Sequence, residues 1–294
     1  MSIFKGSGVA LVTPFKDGRI DYDALERLIE WHIEEGTDAI ISCGTTGEAS
    51  TLSAVEKLSV IEFTVQKVCG RIPVIAGAGT NDTSHSMYLA KEIQYAGADG
   101  LLVVTPYYNK ATQKGLISHY NMIADYTDLP IILYSVKSRT GLNIEPETVK
   151  ELSKHPNIVG IKEASGDISQ ICRIAALCGK NFDLYSGNDD QTIPIMSIGG
   201  VGCISTVANI IPKDYHQMTE DFLKGRYKSA AKLQLKMVPL IRALFAEVNP
   251  IPVKAALHMM GKIEKEYRLP MCEPSNQTLY QLYDEMAKYG LKVK

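Results

Sequence analysis

Short apolar segments recur along the first two-thirds of the chain, each about five residues long and rich in β-branched residues. Segments that are apolar at nearly every position are typical of strands buried on both faces of a parallel sheet. We therefore predict eight parallel strands, at Gly8–Val12, Asp38–Cys43, Ile72–Ala76, Gly100–Thr105, Ile131–Val136, Ile158–Lys162, Phe182–Ser186 and Val201–Ser205.

The segments between these strands have the apolar spacing of amphipathic helices. Residues that commonly cap a helix N-terminus precede five of them: Asp21, Ser53, Thr83, Thr112 and Asp167. Eight strand–helix repeats fit an α/β fold of the (β/α)8 TIM-barrel type best. An open, doubly wound sheet is the alternative, but it would usually have fewer strands and a phosphate-binding glycine turn after the first. Here the first strand ends in Thr13-Pro14-Phe15.

The strand pattern stops after about residue 225, and three helical patterns follow: Tyr227–Phe245, Pro250–Met260 and Asn276–Tyr289. No linker, low-complexity segment or block of charge separates them from the barrel. We therefore predict a catalytic (β/α)8 barrel at residues 1–225 and a C-terminal helical extension at residues 226–294 that packs on it.

Composition narrows the class of protein. The 294 residues carry 31 Lys+Arg against 33 Asp+Glu, and 45% are hydrophobic, which excludes a disordered chain or a strongly basic nucleic-acid binder. No segment matches a signal peptide or a membrane helix, and the six cysteines form no C-x-x-C pair. We expect a cytoplasmic protein with reduced thiols that binds neither nucleic acid nor membrane.

None of the six histidines ends a predicted strand, so a metal-dependent barrel aldolase or hydrolase is poorly supported.

Catalytic groups of such barrels lie at the C-terminal ends of the strands. Lys162 closes the apolar run Ile158–Ile161. Because an ammonium is costly to bury, this setting favours a neutral amine, which attacks carbonyl groups and forms a Schiff base. The alternative is a lysine that extends out of the strand end or pairs with Glu163.

Other strand ends carry further candidate groups. The Gly44–Glu48 turn contains two threonines whose hydroxyls suit a small carboxylate, although an ordinary strand-to-helix turn is the alternative. Tyr134 ends a strand and could move protons or simply pack. Arg139 lies in the loop after Tyr134. Its guanidinium could bind a carboxylate of the substrate through two hydrogen bonds, or it could form a salt bridge within the protein. The Tyr107-Tyr108 pair predicts an exposed lid or an interface.

Taken together, these segments resemble the dihydrodipicolinate synthase (4-hydroxy-tetrahydrodipicolinate synthase) branch of the class I pyruvate-dependent lyase family, which includes N-acetylneuraminate lyase. The matching segments are the Gly44–Glu48 turn, Thr105–Asn109, Tyr134 with Ser138–Gly141, and Gly160–Asp167. They follow the family's order and spacing, and the likeness covers roughly the whole chain. The threonine turn and the lysine mark the family, whereas Arg139 indicates the synthase branch.

The resemblance implies a Schiff-base condensation of pyruvate with L-aspartate 4-semialdehyde. The product would be 4-hydroxy-tetrahydrodipicolinate, in diaminopimelate and lysine biosynthesis. By the same resemblance, Lys162 forms the imine with pyruvate and Tyr134 gives and takes protons. Thr45 would link Tyr134 to Tyr108, which would reach in from a neighbouring subunit. A homo-oligomer is implied, with a homotetramer built as a dimer of dimers the expected form.

The resemblance also implies the substrate contacts. Thr46 and the backbone at Ile204 would hold the carboxylate of pyruvate, and Gly187 belongs to the same substrate-binding set. Arg139 would bind the carboxylate of the semialdehyde. No cofactor and no metal are implied. Two alternatives stay open: a lyase acting on N-acetylneuraminate or a keto-deoxy sugar acid, and a non-catalytic barrel that binds a small ligand.

Two departures from the family pattern stand out. Lys137 occupies a position where many relatives have proline, in the loop that leads to Arg139. Feedback-sensitive relatives bind L-lysine through histidines in the helix after the threonine turn, an asparagine, a glutamate and the first tyrosine of the pair. By alignment this chain keeps Asn81 and Tyr107, but it has Ala54 and Lys57 in the helix and His85 in place of the glutamate. We therefore expect activity that is insensitive to L-lysine.

Overall fold

Eight parallel strands close into a barrel in the computed structural model, which describes residues 2–293. Each strand pairs with the next along the chain, and the last pairs with the first, which confirms the (β/α)8 prediction. The barrel strands are β1 (Gly6–Ala10), β2 (Ala39–Ser42), β3 (Val74–Gly77), β4 (Gly100–Val104), β5 (Ile131–Ser135), β6 (Ile158–Glu163), β7 (Asp183–Ser186) and β8 (Gly202–Ser205).

Helices surround this barrel. They are α1 (Tyr22–Glu34), α2 (Ala54–Val68), α3 (Thr83–Tyr95), α4 (Gln113–Tyr126), α5 (Lys137–Thr140), α6 (Pro146–Leu152), α7 (Ile168–Cys178), α8 (Thr192–Ser197), α9 (Pro212–Leu223), α10 (Tyr227–Leu244), α11 (Ile251–Met259) and α12 (Asn276–Tyr289). Three single turns of 3-10 helix, at Ala49–Thr51, Asp189–Gln191 and Val207–Asn209, and a short antiparallel pair, Phe15–Lys16 with Arg19–Ile20, complete the fold.

Several predicted boundaries are wrong by one or two residues, and one predicted helix cap is wrong. Strand β1 begins two residues earlier than predicted and ends at Ala10, because the N–H of Val12 bonds the side-chain oxygen of Asn209 instead of a neighbouring strand. Helix α3 is capped by Asp82, whose carboxylate accepts from the N–H of His85. Thr83 lies inside the helix and bonds His119. The other four predicted caps are confirmed.

Strand register sets the layer of side chains inside the barrel. Tyr134 on β5 lies beside Lys162 on β6, and Lys162 lies beside Tyr185 on β7. Residues in register on neighbouring parallel strands point to the same face, so these three side chains share the interior. Tyr134 and Tyr185 pack there with apolar residues that include Ile204 of β8. Glu163 alternates with Lys162 and therefore points out of the barrel.

The C-terminal helices pack on the barrel and on one another. Helix α10 packs against α9 and α12, and α11 packs against α12. The predicted division of the chain at residue 225 stays a prediction. Among the residues that the structure describes, no helix combines the length and the apolar character needed to cross a bilayer.

Candidate active site

A cavity of about 300 Å³ opens at the C-terminal ends of the strands. Its lining comes from the ends of β2, β3, β4 and β5 and from the segment before α11. Polar side chains along its wall include Thr45, Lys57, Thr80, Tyr107, Tyr134, Arg139 and Asn249. Of the predicted catalytic groups, Thr45 and Tyr134 therefore share one cavity, and Arg139 lies with them.

Lys162 is buried in the barrel interior, with 6% of its surface exposed. Its Nζ lies 4.4 Å from the centroid of the Tyr134 ring. The alternative of an ion pair with Glu163 is wrong, because that carboxylate faces outward and accepts from the N–H of Ser165 (2.7 Å) and from Gln170 Nε2 (3.0 Å). Burial raises the pKa of Glu163. The lysine amine is thus left beside the tyrosine without a carboxylate in contact among residues 2–293.

Glycine allows the threonine turn to form. A Cβ on Gly47 would lie 3.0 Å from the carbonyl oxygen of Leu11, and the Gly47 carbonyl accepts from the Thr13 hydroxyl at 2.7 Å. The two threonines then point to different surroundings. Thr45 lines the cavity, whereas the Thr46 hydroxyl is buried, 3.3 Å from that of Thr206.

An ion pair that sequence reasoning missed anchors the end of this turn. Glu48 is buried with a left-handed backbone (φ 53°), and its Oε1 lies 2.5 Å from Lys254 Nζ in α11. Its other oxygen accepts from the backbone N–H of Arg268 at 3.3 Å. Burial lowers the pKa of Lys254, and the nearby Glu48 opposes that shift. A lysine inside the mostly apolar helix α11 was the available signal, because such a side chain needs a buried partner.

Arg139 lies in α5, a single helical turn that begins at Lys137. Proline is well tolerated at the first position of a helix, where its missing N–H is not needed. Lysine at that position forms the turn as well, because the N–H of Gly141 donates to the carbonyl of Lys137 at 2.9 Å. The Arg139 Nη2 donates to the backbone carbonyl of Asn249 at 2.9 Å, which holds the guanidinium at the cavity.

The remaining predicted site residues are spread more widely. Ile204 is buried in the same interior cluster as Tyr134. The Gly187 N–H donates to the carbonyl of Glu163 at 2.7 Å, and a Cβ at Gly187 would lie 2.6 Å from the Cβ of Ala164. Tyr108 is 94% exposed and has a φ of 71°, which is uncommon for a tyrosine. Within residues 2–293 it contacts neither Thr45 nor Tyr134 through a hydrogen bond.

Asn249 is a second residue that sequence reasoning missed. Besides accepting from Arg139 through its backbone carbonyl, it donates from Nδ2 to the Thr46 hydroxyl at 3.0 Å. It thereby joins two predicted substrate-binding residues that are far apart in the chain. In the described part of the chain, no group of three His, Cys, Asp or Glu side chains is arranged to hold a metal ion.

Comparison with known proteins agrees with this geometry. A profile of the dihydrodipicolinate synthetase family matches residues 3–288. The 4-hydroxy-tetrahydrodipicolinate synthase of Thermoanaerobacter sp. (strain X514) is 57% identical over 292 residues, which are 99% of this chain and 98% of the relative. The dihydrodipicolinate synthase of Aquifex aeolicus superposes with a TM-score of 0.97 at 44% identity, covering 99% of this chain and 100% of the relative.

A third relative has been crystallised in complex with pyruvate. It is the chloride-inhibited dihydrodipicolinate synthase of Acinetobacter baumannii. It superposes with a TM-score of 0.96 at 43% identity, covering 98% of this chain and 99% of the relative. The family match spans nearly all of the barrel and the C-terminal helices, and the relatives align over almost their whole length. This chain therefore belongs to the dihydrodipicolinate synthetase family.

Proposed function

We propose that this chain condenses pyruvate with L-aspartate 4-semialdehyde to 4-hydroxy-tetrahydrodipicolinate, in diaminopimelate and lysine biosynthesis. The observation that carries the proposal is the buried Lys162 amine, 4.4 Å from the ring of Tyr134 and without a carboxylate partner in the described chain. The names of the relatives and the pyruvate bound to the Acinetobacter baumannii relative support the same reaction.

In the first stage the Lys162 amine attacks the pyruvate carbonyl carbon. The carbonyl oxygen leaves as water, and the carbon is joined to Nζ as an imine. The imine makes the methyl group acidic, and a neighbouring base removes a proton to give an enamine. Tyr134 is the proposed proton carrier because its ring lies against Nζ. Thr45 and Tyr108 would extend the relay, while Thr46, Gly187 and the backbone of Ile204 would hold pyruvate.

In the second stage the enamine carbon bonds to the aldehyde carbon, and the aldehyde oxygen takes a proton. Arg139 would bind the carboxylate of the aldehyde, since guanidinium and carboxylate pair through two parallel hydrogen bonds. The amine of the second substrate then bonds to the imine carbon. A proton passes from this amine to Nζ, the bond from the imine carbon to Nζ breaks, and the ring closes with Lys162 released.

Borohydride reduction tests the covalent step. Reduction in the presence of pyruvate should add the mass of the reduced pyruvyl group to the peptide that contains Lys162, and reduction without pyruvate should not. Absence of trapping at saturating pyruvate contradicts the proposal and favours a non-catalytic ligand-binding barrel. A coupled assay that compares the condensation with N-acetylneuraminate cleavage separates the synthase from a sugar-acid lyase, which needs no carboxylate clamp at Arg139.

We further propose a homo-oligomer, in the form of a homotetramer, in which Tyr108 completes the site of a neighbouring copy. The support is its 94% exposure and left-handed backbone, which hold a large aromatic ring away from its own chain. Exposed aromatic groups of this kind are enriched at protein interfaces. A cytoplasmic location also stays a prediction; the six cysteines are free thiols in the structure.

Subunit complementation tests the shared site. A Lys162→Ala chain and a Tyr108→Ala chain, each inactive alone, should regain up to about a quarter of wild-type activity when mixed after dissociation, because some sites then receive both native residues. No regain in a mixture that sedimentation shows to be hetero-oligomeric contradicts the inter-subunit role. Tyr108→Phe should lower kcat more than it raises the KM for pyruvate, since it removes a hydroxyl and little contact area.

A further inference from the structure

Lys57, near the start of α2, is a buried cation that the proposed reaction does not use. Its side chain is 9% exposed and lines the cavity at the strand ends. Its Nζ makes no hydrogen bond and no ion pair within residues 2–293. The side-chain nitrogen and oxygen atoms of that range that are sealed from solvent without a partner belong to other residues, namely Ser7, His32, Thr105, His119 and Asn249. The Lys57 amine is therefore open to small molecules that enter the cavity.

The charges around the cavity leave this amine without an anion. Among the described residues that line it, only Glu48, Lys57 and Arg139 are charged. Glu48 is paired with Lys254 at 2.5 Å. The Cys43 thiol, 3.7 Å from the carbonyl oxygen of Lys57, is neutral near pH 7 because burial raises its pKa to about 11. A cation withdrawn from water is costly unless a counter-charge replaces the water, so Lys57 has a place for an anion that this chain does not fill.

We propose that Lys57 Nζ binds the carboxylate of a small anion, at a site separate from the one that Arg139 would provide for the aldehyde. An ammonium group recognises a carboxylate through short, charge-assisted hydrogen bonds. One ammonium balances one carboxylate, and the Glu48 charge on the same wall disfavours a doubly charged anion such as phosphate. Burial lowers the pKa of Lys57, and a bound carboxylate would oppose that shift. This binding needs no imine at Lys162 and is therefore independent of the proposed reaction.

NMR of labelled lysine amines tests the site directly. Reductive methylation with carbon-13 formaldehyde labels each lysine amine that solvent reaches, and the signal that Lys57→Arg removes is that of Lys57. Acetate, which has a carboxylate and no ketone, should shift this signal with a dissociation constant of about 1–50 mM. Acetamide has the same shape without the charge and should bind at least about tenfold more weakly. The signal of Lys67, which lies on the same helix and pairs with Glu26 at 2.6 Å, should stay in place.

Variants check the result on the unmethylated protein. At constant ionic strength, acetate should raise the urea midpoint of the wild type more than acetamide does, because a ligand that binds the native state stabilises it. Lys57→Met should lose about half of this difference or more, Lys57→Arg should keep it, and Lys67→Met should match the wild type.

Three results would each overturn the inference: a Lys57 amine that methylation does not label, a Lys57 signal that acetate and acetamide shift alike, or an acetate effect that Lys57→Met retains in full. Borohydride trapping of pyruvate at Lys162 tests the proposed function separately, since acetate forms no imine.

Discussion

Lys162 at the end of β6 and Lys254 in α11 have similar burial and different partners. They are 6% and 1% exposed, and their amines lie over aromatic rings, 4.4 Å from the centroid of Tyr134 and 4.2 Å from that of Phe15. Lys254 also contacts the Glu48 carboxylate at 2.5 Å. Lys162 faces the barrel interior without such a partner among the described residues.

This difference shows that burial and an aromatic neighbour do not by themselves make a lysine a nucleophile. A buried carboxylate in contact favours the charged ammonium, which has no electron pair to share. Lys254 is therefore suited to hold the threonine turn against the C-terminal segment. Lys162 carries the same side chain with no carboxylate in contact among the described residues, so its Nζ is not held in an ion pair. The four predictions below test this contrast, from the largest expected effect to the smallest.

Lys162→Met should lower turnover by at least about 10³-fold, because the variant cannot form the imine. The free energy of unfolding should change by less than about 1.5 kcal/mol, since the new side chain has a similar volume and no ion pair is lost. Steady-state kinetics and urea unfolding give the two values. Residual turnover above a few per cent would show that another group forms the covalent link.

Lys254→Met should show the opposite pattern and destabilise the fold by about 3–5 kcal/mol, because it leaves the Glu48 charge buried and unpaired. The double variant with Glu48→Met should recover much of that loss, as hydrophobic replacement of a whole buried pair is often neutral. Urea unfolding measures both. Borohydride trapping of pyruvate at Lys162 should survive in the folded fraction of each variant; loss of trapping would mean that Lys254 acts in the chemistry.

A second, more exposed ion pair joins the C-terminal segment to the barrel. The Arg268 guanidinium, 2.6 Å from Glu56, lowers the pKa of that carboxyl from 4.5 to about 2. The folded-state pKa is below the unfolded one, so the pair stabilises the fold above about pH 4.5 and loses this effect as the pH falls toward 2.

The Glu56 side chain is 31% exposed, so solvent screening limits the effect to about 1 kcal/mol. The free energy of unfolding should fall between pH 6 and pH 3 in both proteins. The fall should be smaller in Glu56→Gln than in the wild type, by about 1 kcal/mol. Equal pH dependence in the two proteins would show that this pair contributes nothing measurable, unlike the buried pair of Lys254.

A third buried lysine gives the smallest expected effect. Lys57 lines the cavity with 9% exposure, and burial lowers its pKa. Neither Lys57 nor the exposed His85 is a carboxylate that could pair with an incoming ammonium group. We therefore expect 1 mM L-lysine to change the initial rate less than about twofold, since loss of a charged hydrogen bond weakens binding about 10- to 100-fold. Half-inhibition below 1 mM would contradict this.

Much of the barrel could be predicted because its signals are local. Nearly continuous apolar runs specify buried strands, and the polar residues that end them fall on one rim. Lys162 and Tyr134 were therefore found as strand-end residues before their register was known. The boundaries were less certain: Asp82 and Thr83 are both good caps, and only the helix geometry distinguishes them.

The sequence by itself determined the eight-strand pattern, the family motifs and the lysine at the end of β6, because each depends on neighbouring residues or on spacing along the chain. The tertiary structure alone decided which distant groups meet. Glu48 and Lys254 are 206 residues apart, and Thr46 and Asn249 are 203 apart. Nothing in the local pattern encodes such pairs, since they form only when the C-terminal segment packs over the strand ends.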